Sequence, residues 1–347
     1  MNHKKIGIFT YPFEGVPAWD PDSILEGISG SEEAVIYMAN ELAHLNYEVY
    51  VIGNPPRHSP HSQPKVNPRY IQAEDLNFFL DIAISWRVPF KAPDLRRLAH
   101  QVYLWPHDSW HQPLIDPRTY HFDDVLWLSH WQREQWISVV PAFDRYKKIF
   151  GNGIEVSSFR PIGLRSNPYS CIYASNYGNG LEKLLEIWPR IKLLYPLATL
   201  DIYYGWQHWG LLTKQEEEKL RGLVQDLKKL DVNEHGKVSH FKLNEAFEKA
   251  SFWTYPCHNP EAFCITALRA QYAGAIPVVI KCGALSETVQ HGYLCSEPQD
   301  YLNLLLKAFC DSESISIHQR HQMRAFIDRQ YRWSTIAKKW QELFENF

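Results

Sequence analysis

Apolar and polar positions along this chain follow the periods of strands and helices in turn. Residues 6–10 form a short apolar run, which predicts a buried first strand. A loop rich in Gly, Pro and Asp follows. Apolar side chains then recur at helical spacing over residues 35–45, before a second apolar run at residues 49–52. Ser29 and Glu32 have the spacing of a capping box, which predicts a helix start just after Ser29. Strand, loop, helix and strand in this order predict a parallel βαβ unit.

The same alternation continues through both halves of the chain, which a Pro-bearing segment at residues 159–168 separates. It predicts two doubly wound α/β domains followed by a helical C-terminal segment. In the first half, further strands are predicted at residues 82–85, 101–104, 124–129 and 147–150, and a helix at residues 129–139. In the second half, strands are predicted at residues 170–175, 199–204, 238–241, 252–255 and 277–280, and helices at residues 181–195, 214–230, 244–250, 265–273, 301–308 and 318–347.

Length and charge narrow the class of protein. The chain has 347 residues, more than one hydrophobic core usually serves, so two domains of roughly 150 residues are expected. A formal charge of -3 and the absence of a long Lys/Arg run argue against nucleic acid as a partner. The chain has no apolar stretch of about 18 residues and no signal-peptide pattern, so we expect it neither to span a membrane nor to be secreted. Six cysteines without a CxxC pair predict reduced thiols in a cytoplasmic protein.

The most informative stretch is residues 253–288. There Glu261 stands just before a short apolar helix, which ends at a Gly-Ala-Ile-Pro corner and leads into an apolar strand. A carboxylate can accept hydrogen bonds from sugar hydroxyls, and the unpaired N–H groups of a helix start attract anions. The order predicts a pocket for a ligand with both hydroxyl and phosphate groups. An acid that only caps the helix start is the alternative.

This stretch resembles the donor-binding segment of bacterial family-4 retaining glycosyltransferases. In that family Glu-x-Phe-Gly, an apolar helix with a second Glu, Gly-x-Pro-Val and a Gly-x-x-x-Glu loop follow one another. The matching positions here are Glu261, Phe263, Cys264, Arg269, Gly274, Pro277, Val278, Gly283 and Glu287. The resemblance extends to residues 29–32, 152–159 and 175–192, and so covers most of the chain.

The resemblance implies the GT-B architecture, in which two Rossmann-like domains face each other across a cleft. The expected division is an acceptor-side domain over residues 1–160, a nucleotide-sugar donor domain over residues 161–325, and a C-terminal helix over residues 326–347 that returns to the first domain. The implied activity is metal-independent transfer of a hexose from a nucleotide-diphosphate sugar to a hydroxyl of a glycan or glycolipid acceptor, with retention of configuration.

The same resemblance assigns roles to residues that match the family motifs. Glu261 would bind hydroxyls of the transferred sugar, and the backbone N–H groups of Phe263, Cys264 and Ile265 would hold sugar and phosphate oxygens. His107, which follows a predicted strand, would contact the donor sugar and the reaction centre, with Asp108 as the alternative residue. Gly30 would lie near the donor phosphates and the acceptor. A hydrogen-bonded loop histidine and an ordinary helix-start glycine are the structural alternatives.

The chain departs from the family at the diphosphate site. The usual Arg and Lys are replaced by Ala174 and Asn179, and the second Glu is Arg269. Asn179 then becomes the donor-site residue at its position, and Arg269 and Lys242, with Lys281, become candidate cations near the nucleotide. These replacements motivate an alternative to the transferase, a catalytically degenerate sugar- or nucleotide-binding protein.

Three further interpretations are weaker. The first loop lacks Gly-x-Gly-x-x-Gly, which argues against a Rossmann-type oxidoreductase. Asp20-Pro-Asp22 resembles a metal-binding Asp-x-Asp motif, but a Pro-containing loop explains it, so no metal is predicted. A basic and aromatic surface could dock on the inner membrane face, and it would consist of Lys147, Lys148, Trp131 and Trp136. The alternative is that these residues form a buried or solvated helix face.

Overall fold

The computed structural model describes residues 3–13, 15–109, 121–206 and 212–346. The chain divides into two compact units. The first consists of the segment up to Ile24, Ile28–Gly153 and the segment from Trp333 onward, and the second of Leu25–Gly27 and Ile154–Arg332. Each unit contains a parallel six-stranded sheet within the described residues. The predicted α/β class is therefore confirmed.

The sheet of the first unit has the strand order β3-β2-β1-β4-β5-β6, and all its pairs are parallel. The order reverses at β1, which pairs with both β2 and β4, as in a doubly wound sheet. The strands are β1 (Lys5–Phe9), β2 (Glu48–Gly53), β3 (Arg69–Gln72), β4 (Leu80–Trp86), β5 (Ala99–Trp105) and β6 (Asp124–Val125). The helices before the interdomain crossing are α1 (Gly30–His44), α2 (Ala92–Leu95) and α3 (His130–Val139).

The second unit repeats this plan with the strand order β12-β11-β10-β7-β8-β9. Its pairs are also parallel, and the order reverses at β7. The strands are β7 (Ser170–Ala174), β8 (Thr199–Tyr203), β9 (Val232–Glu234), β10 (Phe252–Tyr255), β11 (Ile276–Ile280) and β12 (Tyr293–Cys295). The helices are α4 (Leu181–Leu194), α5 (Lys214–Leu227), α6 (His240–Lys249), α7 (Ile265–Ala273), α8 (Leu285–Thr288), α9 (Tyr301–Cys310) and α10 (Ile317–Gln330).

Burial explains why these sequences form these elements. Every residue of β10 and of β11 is buried, as expected for central strands that helices cover on both faces. In α4 the buried side chains recur at three- and four-residue spacing, so one stripe of the helix faces the sheet. The buried residues of α4 are Leu181, Leu184, Leu185, Trp188 and Ile191.

The last helix, α11 (Trp333–Glu345), belongs to the first unit. Trp340 packs edge-on against Trp105 of β5, with 4.7 Å between ring centroids, and Phe344 contacts Tyr103 at 5.0 Å. The predicted return of the C-terminal helix is therefore confirmed. The chain crosses at Arg332–Trp333, since Phe326 lies in α10 in the second unit. Across the described ranges, no helix is long and apolar enough to cross a membrane.

Two predicted strands are wrong. Residues 238–241 lead into α6, because the Ser239 side chain accepts a hydrogen bond from the Lys242 N–H at 3.3 Å and caps the helix. The strand in that region is β9, a few residues earlier. Residues 147–150 contribute only a single bridge, between Ile149 and Trp127. The short strand β3 was not predicted, because four residues carry too little periodicity.

Candidate functional site

Glu261 lies in the loop between β10 and α7, beyond the carboxyl end of β10. A parallel bridge pairs it with Gly283, and the Ala284 N–H donates to the Glu261 carbonyl at 2.7 Å. Gly283 has φ +61°, and a Cβ there would lie 2.4 Å from that carbonyl oxygen, so the position requires glycine. The loops after β10 and β11 are thus joined, and this pairing fixes the Glu261 backbone.

Neutral groups surround the Glu261 carboxyl. The Tyr255 hydroxyl donates a short hydrogen bond to Oε1, and Asn179 Nδ2 approaches the same oxygen at 3.4 Å. Burial raises the pKa of Glu261 to about 7, and the Tyr255 hydrogen bond only partly opposes this rise. Glu261 therefore exchanges a proton near neutral pH, unlike an exposed glutamate.

Asn179 connects the loop before α4 to the loop after β10. Its Oδ1 accepts from the backbone N–H of Asn259 at 3.0 Å and of His258 at 3.3 Å, while its Nδ2 donates to the Tyr255 hydroxyl at 2.6 Å. Ser175 Oγ donates to the same hydroxyl at 3.0 Å. Tyr255 therefore accepts from two side chains and donates to Glu261, which orients the carboxyl.

Helix α7 begins directly after Glu261, with Cys264 as its N-cap residue. The backbone N–H groups of Phe263, Cys264 and Ile265 form no hydrogen bond with any described residue. Unpaired N–H groups at a helix start carry partial positive charge and can bind phosphate or carboxylate oxygens. The structure thus places the predicted carboxyl and the predicted anion-binding groups within one short segment.

The structure does not bring Arg269 and Lys242 into this network. Arg269 is 3% exposed, and its guanidinium donates a short hydrogen bond to Asn244 Oδ1 of α6. Asn244 in turn donates to Ser158 Oγ at 2.6 Å. Lys242 is an exposed residue in the first turn of α6. Helix packing thus accounts for the position of Arg269.

In the first unit, His107 lies in the loop directly after β5. Its imidazole contacts Trp105 at 4.6 Å and Trp86 at 5.9 Å between ring centroids, and Nε2 is buried without a partner in the described ranges. Burial, and secondarily the charge of Arg87, lowers the pKa of His107 well below its usual value. The ring is therefore neutral at physiological pH, with one nitrogen able to accept a hydrogen bond.

The neighbours of His107 are fixed. Asp108, the predicted alternative, accepts two hydrogen bonds from the Arg87 guanidinium, each of 2.6 Å, and is committed to this ion pair. Gly30 is the first residue of α1, as predicted, and Ser29 is the N-cap. The Ser29 hydroxyl donates to the Glu32 carboxylate rather than capping the helix backbone.

Sequence reasoning missed two residues of the Glu261 network, Tyr255 and Ser175. Both lie at the carboxyl ends of neighbouring strands, β10 and β7, which is where doubly wound folds bind ligands. The available signal was therefore strand position. It could not show that the Tyr255 hydroxyl reaches Glu261.

Two parallel-sheet units with a returning C-terminal helix define the GT-B fold. Residues 158–325, which lie within the second unit, match the model of the family described as glycosyl transferases group 1. A sucrose-phosphate synthase from Thermosynechococcus elongatus has a TM-score of 0.74 at 17% identity, over 99% of both chains. A glycosyltransferase from Rickettsia africae ESF-5 has a TM-score of 0.75 at 12% identity, over 100% of this chain and 99% of that one.

The chain is also similar to a structure solved with bound ligands and, over part of its length, to the sequence of a curated enzyme. Anabaena Alr3699/HepE, solved in complex with UDP and glucose, has a TM-score of 0.71 at 14% identity, over 99% of this chain and 100% of that one. The curated lipopolysaccharide 1,2-N-acetylglucosaminetransferase of Salmonella typhimurium is 27% identical over 118 residues, which are 32% of this chain. The matched region spans 30% of that relative's length.

Proposed function

We propose that this protein is a retaining glycosyltransferase that moves a hexose from a nucleotide-diphosphate sugar to a hydroxyl of a glycan or glycolipid. The observation that carries the proposal is the arrangement around Glu261. A partly neutral carboxyl, held by Tyr255 and Asn179, stands beside three backbone N–H groups that have no partner among the described residues, within the segment that matches the group 1 glycosyl transferase model. Such a pair of features suits a ligand with both hydroxyls and phosphates.

In the proposed mechanism, binding and charge stabilisation provide the catalysis. The Glu261 carboxyl fixes ring hydroxyls of the donor, and the N–H groups of Phe263, Cys264 and Ile265 stabilise negative charge on the leaving diphosphate. Fixed helix-terminal dipoles can do this without a metal ion, so we propose a metal-independent transfer. The resemblance assigns His107 to the donor sugar. Its neutral ring and its Nε2, which has no partner among the described residues, suit acceptance of a hydrogen bond from a hydroxyl group.

UDP-hexoses are the first donors to test. Structural neighbours were solved with UDP and glucose, and the pneumococcal O-GlcNAc transferase GtfA, which has a TM-score of 0.59, was solved with UDP and GlcNAc. We also propose a cytoplasmic location, with the inner membrane face as a candidate docking surface. All six cysteines are free thiols, which is usual for reducing compartments.

A sugar- or nucleotide-binding protein without transferase activity is the second candidate. Ala174 and Asn179 stand where the family carries Arg and Lys, and the Asn179 side chain is fully engaged with Tyr255 and the backbone of residues 258–259. Lys281, which is exposed directly after β11, is the cation we propose as a substitute near the diphosphate.

The test is a thermal-shift screen of the full chain against UDP-, GDP- and ADP-sugars, followed by assays of nucleoside-diphosphate release. A ligand at a hundred times its dissociation constant should stabilise the fold by about 2.7 kcal/mol. Glu261→Gln should remove the sugar-dependent part of the shift. The exposed control Glu297→Gln should keep it. Binding without turnover on any acceptor tested supports the second candidate, and calorimetry without any binding contradicts both.

A further inference from the structure

A cluster of His and Asp side chains in the first unit has no role in the proposed transfer. Asp20 and Asp22 lie in the loop after β1, and His61 lies in the loop after β2. One carboxylate oxygen from each Asp and one ring nitrogen of His61 all lie within 4.8 Å of one another. Both loops leave the carboxyl edge of the sheet, from neighbouring strands. Three ligand atoms thus converge from two separate loops.

The spacing fits a single small cation. His61 Nε2 and Asp22 Oδ1 are 3.1 Å apart. Two ligands of a tetrahedral Zn²⁺, bound at about 2.0–2.2 Å, are separated by about 3.3 Å. The pair can therefore share an ion with almost no movement, and the third ligand atom, a carboxylate oxygen of Asp20, lies within 4.8 Å of both.

Asp20 is held in place before any ion binds. It is 5% exposed, and its Oδ2 accepts from Ser59 Oγ at 2.6 Å while its Oδ1 accepts from the Asp22 N–H at 3.0 Å. Ser59 Oγ also accepts from the His61 N–H at 3.2 Å. Ser59 therefore ties the His61 loop to Asp20. Each carboxylate oxygen has two lone-pair directions, so both oxygens can still bind a cation.

Tyr70 provides an independent observation at the same place. Its ring packs edge-on against His61, with 6.1 Å between centroids, and its hydroxyl is buried without a hydrogen-bond partner in the described part of the chain. A buried, unpaired hydroxyl is unfavourable. A water molecule on the open position of a bound ion would give it a partner.

We propose that Asp20, Asp22 and His61 bind one divalent transition-metal ion, of which Zn²⁺ fits best, and that the ion ties the loop after β1 to the loop after β2. One imidazole nitrogen and two carboxylate oxygens suit Zn²⁺ or Co²⁺, whereas Mg²⁺ and Ca²⁺ prefer oxygen ligands alone. The two loops also form the walls of an aromatic pocket, lined among others by Tyr11, Trp19 and Asn54. The ion would stabilise that pocket, independently of Glu261 in the second unit.

The test is a titration of the metal-free full chain with Zn²⁺ in competition with a chromophoric chelator. Wild type should bind one tightly held ion per chain that Asp22→Asn and His61→Gln do not hold tightly. In each variant the affinity of that site for Zn²⁺ should fall more than about tenfold. His58→Gln is the control, since His58 is an exposed histidine of the same loop. It should bind as wild type does.

A second measurement separates ion binding from the simple His61–Asp22 ion pair. Co²⁺ bound by the wild type should give the visible absorption bands of a site with four ligands, and His61→Gln should lose them while keeping the wild-type circular dichroism. Zn²⁺ should raise the melting temperature of the wild type and of His58→Gln only. Equal stoichiometry in wild type, Asp22→Asn and His61→Gln would overturn the proposal, because the three side chains would then form only an ion pair.

Discussion

At the scale of single residues, the proton on Glu261 is the property with most consequences. The folded protein raises the pKa of this carboxyl from 4.5 to about 7 through burial. The protonated form is thus favoured by folding, so the stabilisation is complete below pH 4.5 and is lost as pH rises through 7. We expect the free energy of unfolding to fall by roughly 1–3 kcal/mol over this window relative to Glu261→Gln. An unfolding free energy that changes with pH in the same way in wild type and in Glu261→Gln, between pH 4.5 and 8, would contradict this.

A substitution at Asn179 can change the pKa of Glu261 while keeping the hydrogen bonds that position 179 accepts from the backbone. Asn179→Asp keeps the oxygen that accepts from the N–H groups of His258 and Asn259, but places a second carboxylate beside Glu261. Like charges disfavour joint ionisation, so the pKa of Glu261 should rise further. The pH dependence of unfolding, measured against a Glu261→Gln background, should move to higher pH. An unchanged pH dependence would show that the two side chains do not interact.

At the scale of elements, the joined loops after β10 and β11 depend on Gly283. Gly283→Ala should destabilise the second unit and weaken nucleotide-sugar binding, because a Cβ there would lie 2.5 Å from the Glu261 nitrogen. Gly222→Ala in α5 is the matched control: apart from the local backbone of its own helix, no atom of the described residues lies within 4 Å of the added Cβ, so it should stabilise by about 0.5–1 kcal/mol. Urea denaturation of both variants checks the pair, and equal effects would refute the assigned contact.

The packing of α6 against α7 depends on Arg269. Arg269→Glu would place a buried carboxylate against Asn244 without the guanidinium that now donates to it. We expect a loss of about 3–5 kcal/mol in unfolding free energy, as for the breaking of other buried charged contacts. If the family's second Glu is needed at this position for catalysis, the substitution should instead raise turnover. A stable, more active Arg269→Glu variant would show that Arg269 acts at the nucleotide after all.

At the scale of the whole molecule, the C-terminal helix α11 is part of the core of the first unit. Trp340 is fully buried against Trp105. Trp340→Ala should cost the first unit about 3–5 kcal/mol. In urea, the first unit should then unfold before the second, which limited proteolysis with mass spectrometry can resolve. Loss of both units at one midpoint would mean that they unfold as one cooperative system.

Sequence pattern predicted the alternating α/β order and the position of Glu261 just before α7, because strand burial and motif spacing are local properties. It failed where the outcome depends on competition or on helix phase. At Ser239 a capping hydroxyl begins a helix where a strand was predicted. Arg269 lies at the motif spacing, but the phase of α7 turns it toward Asn244. The contact from Tyr255 to Glu261 depends on the course of a loop, which no local pattern specifies.

The central claim is that the second unit binds an activated sugar through Glu261. Calorimetric titration of wild type and Glu261→Gln, each with the nucleotide sugar that gives the largest thermal shift and with the matching nucleoside diphosphate, tests it most directly. Wild type should prefer the sugar-bearing ligand by about 10–100-fold, the range of a hydrogen bond to a charged group, and the variant should bind both equally. An undiminished preference in Glu261→Gln would contradict the account.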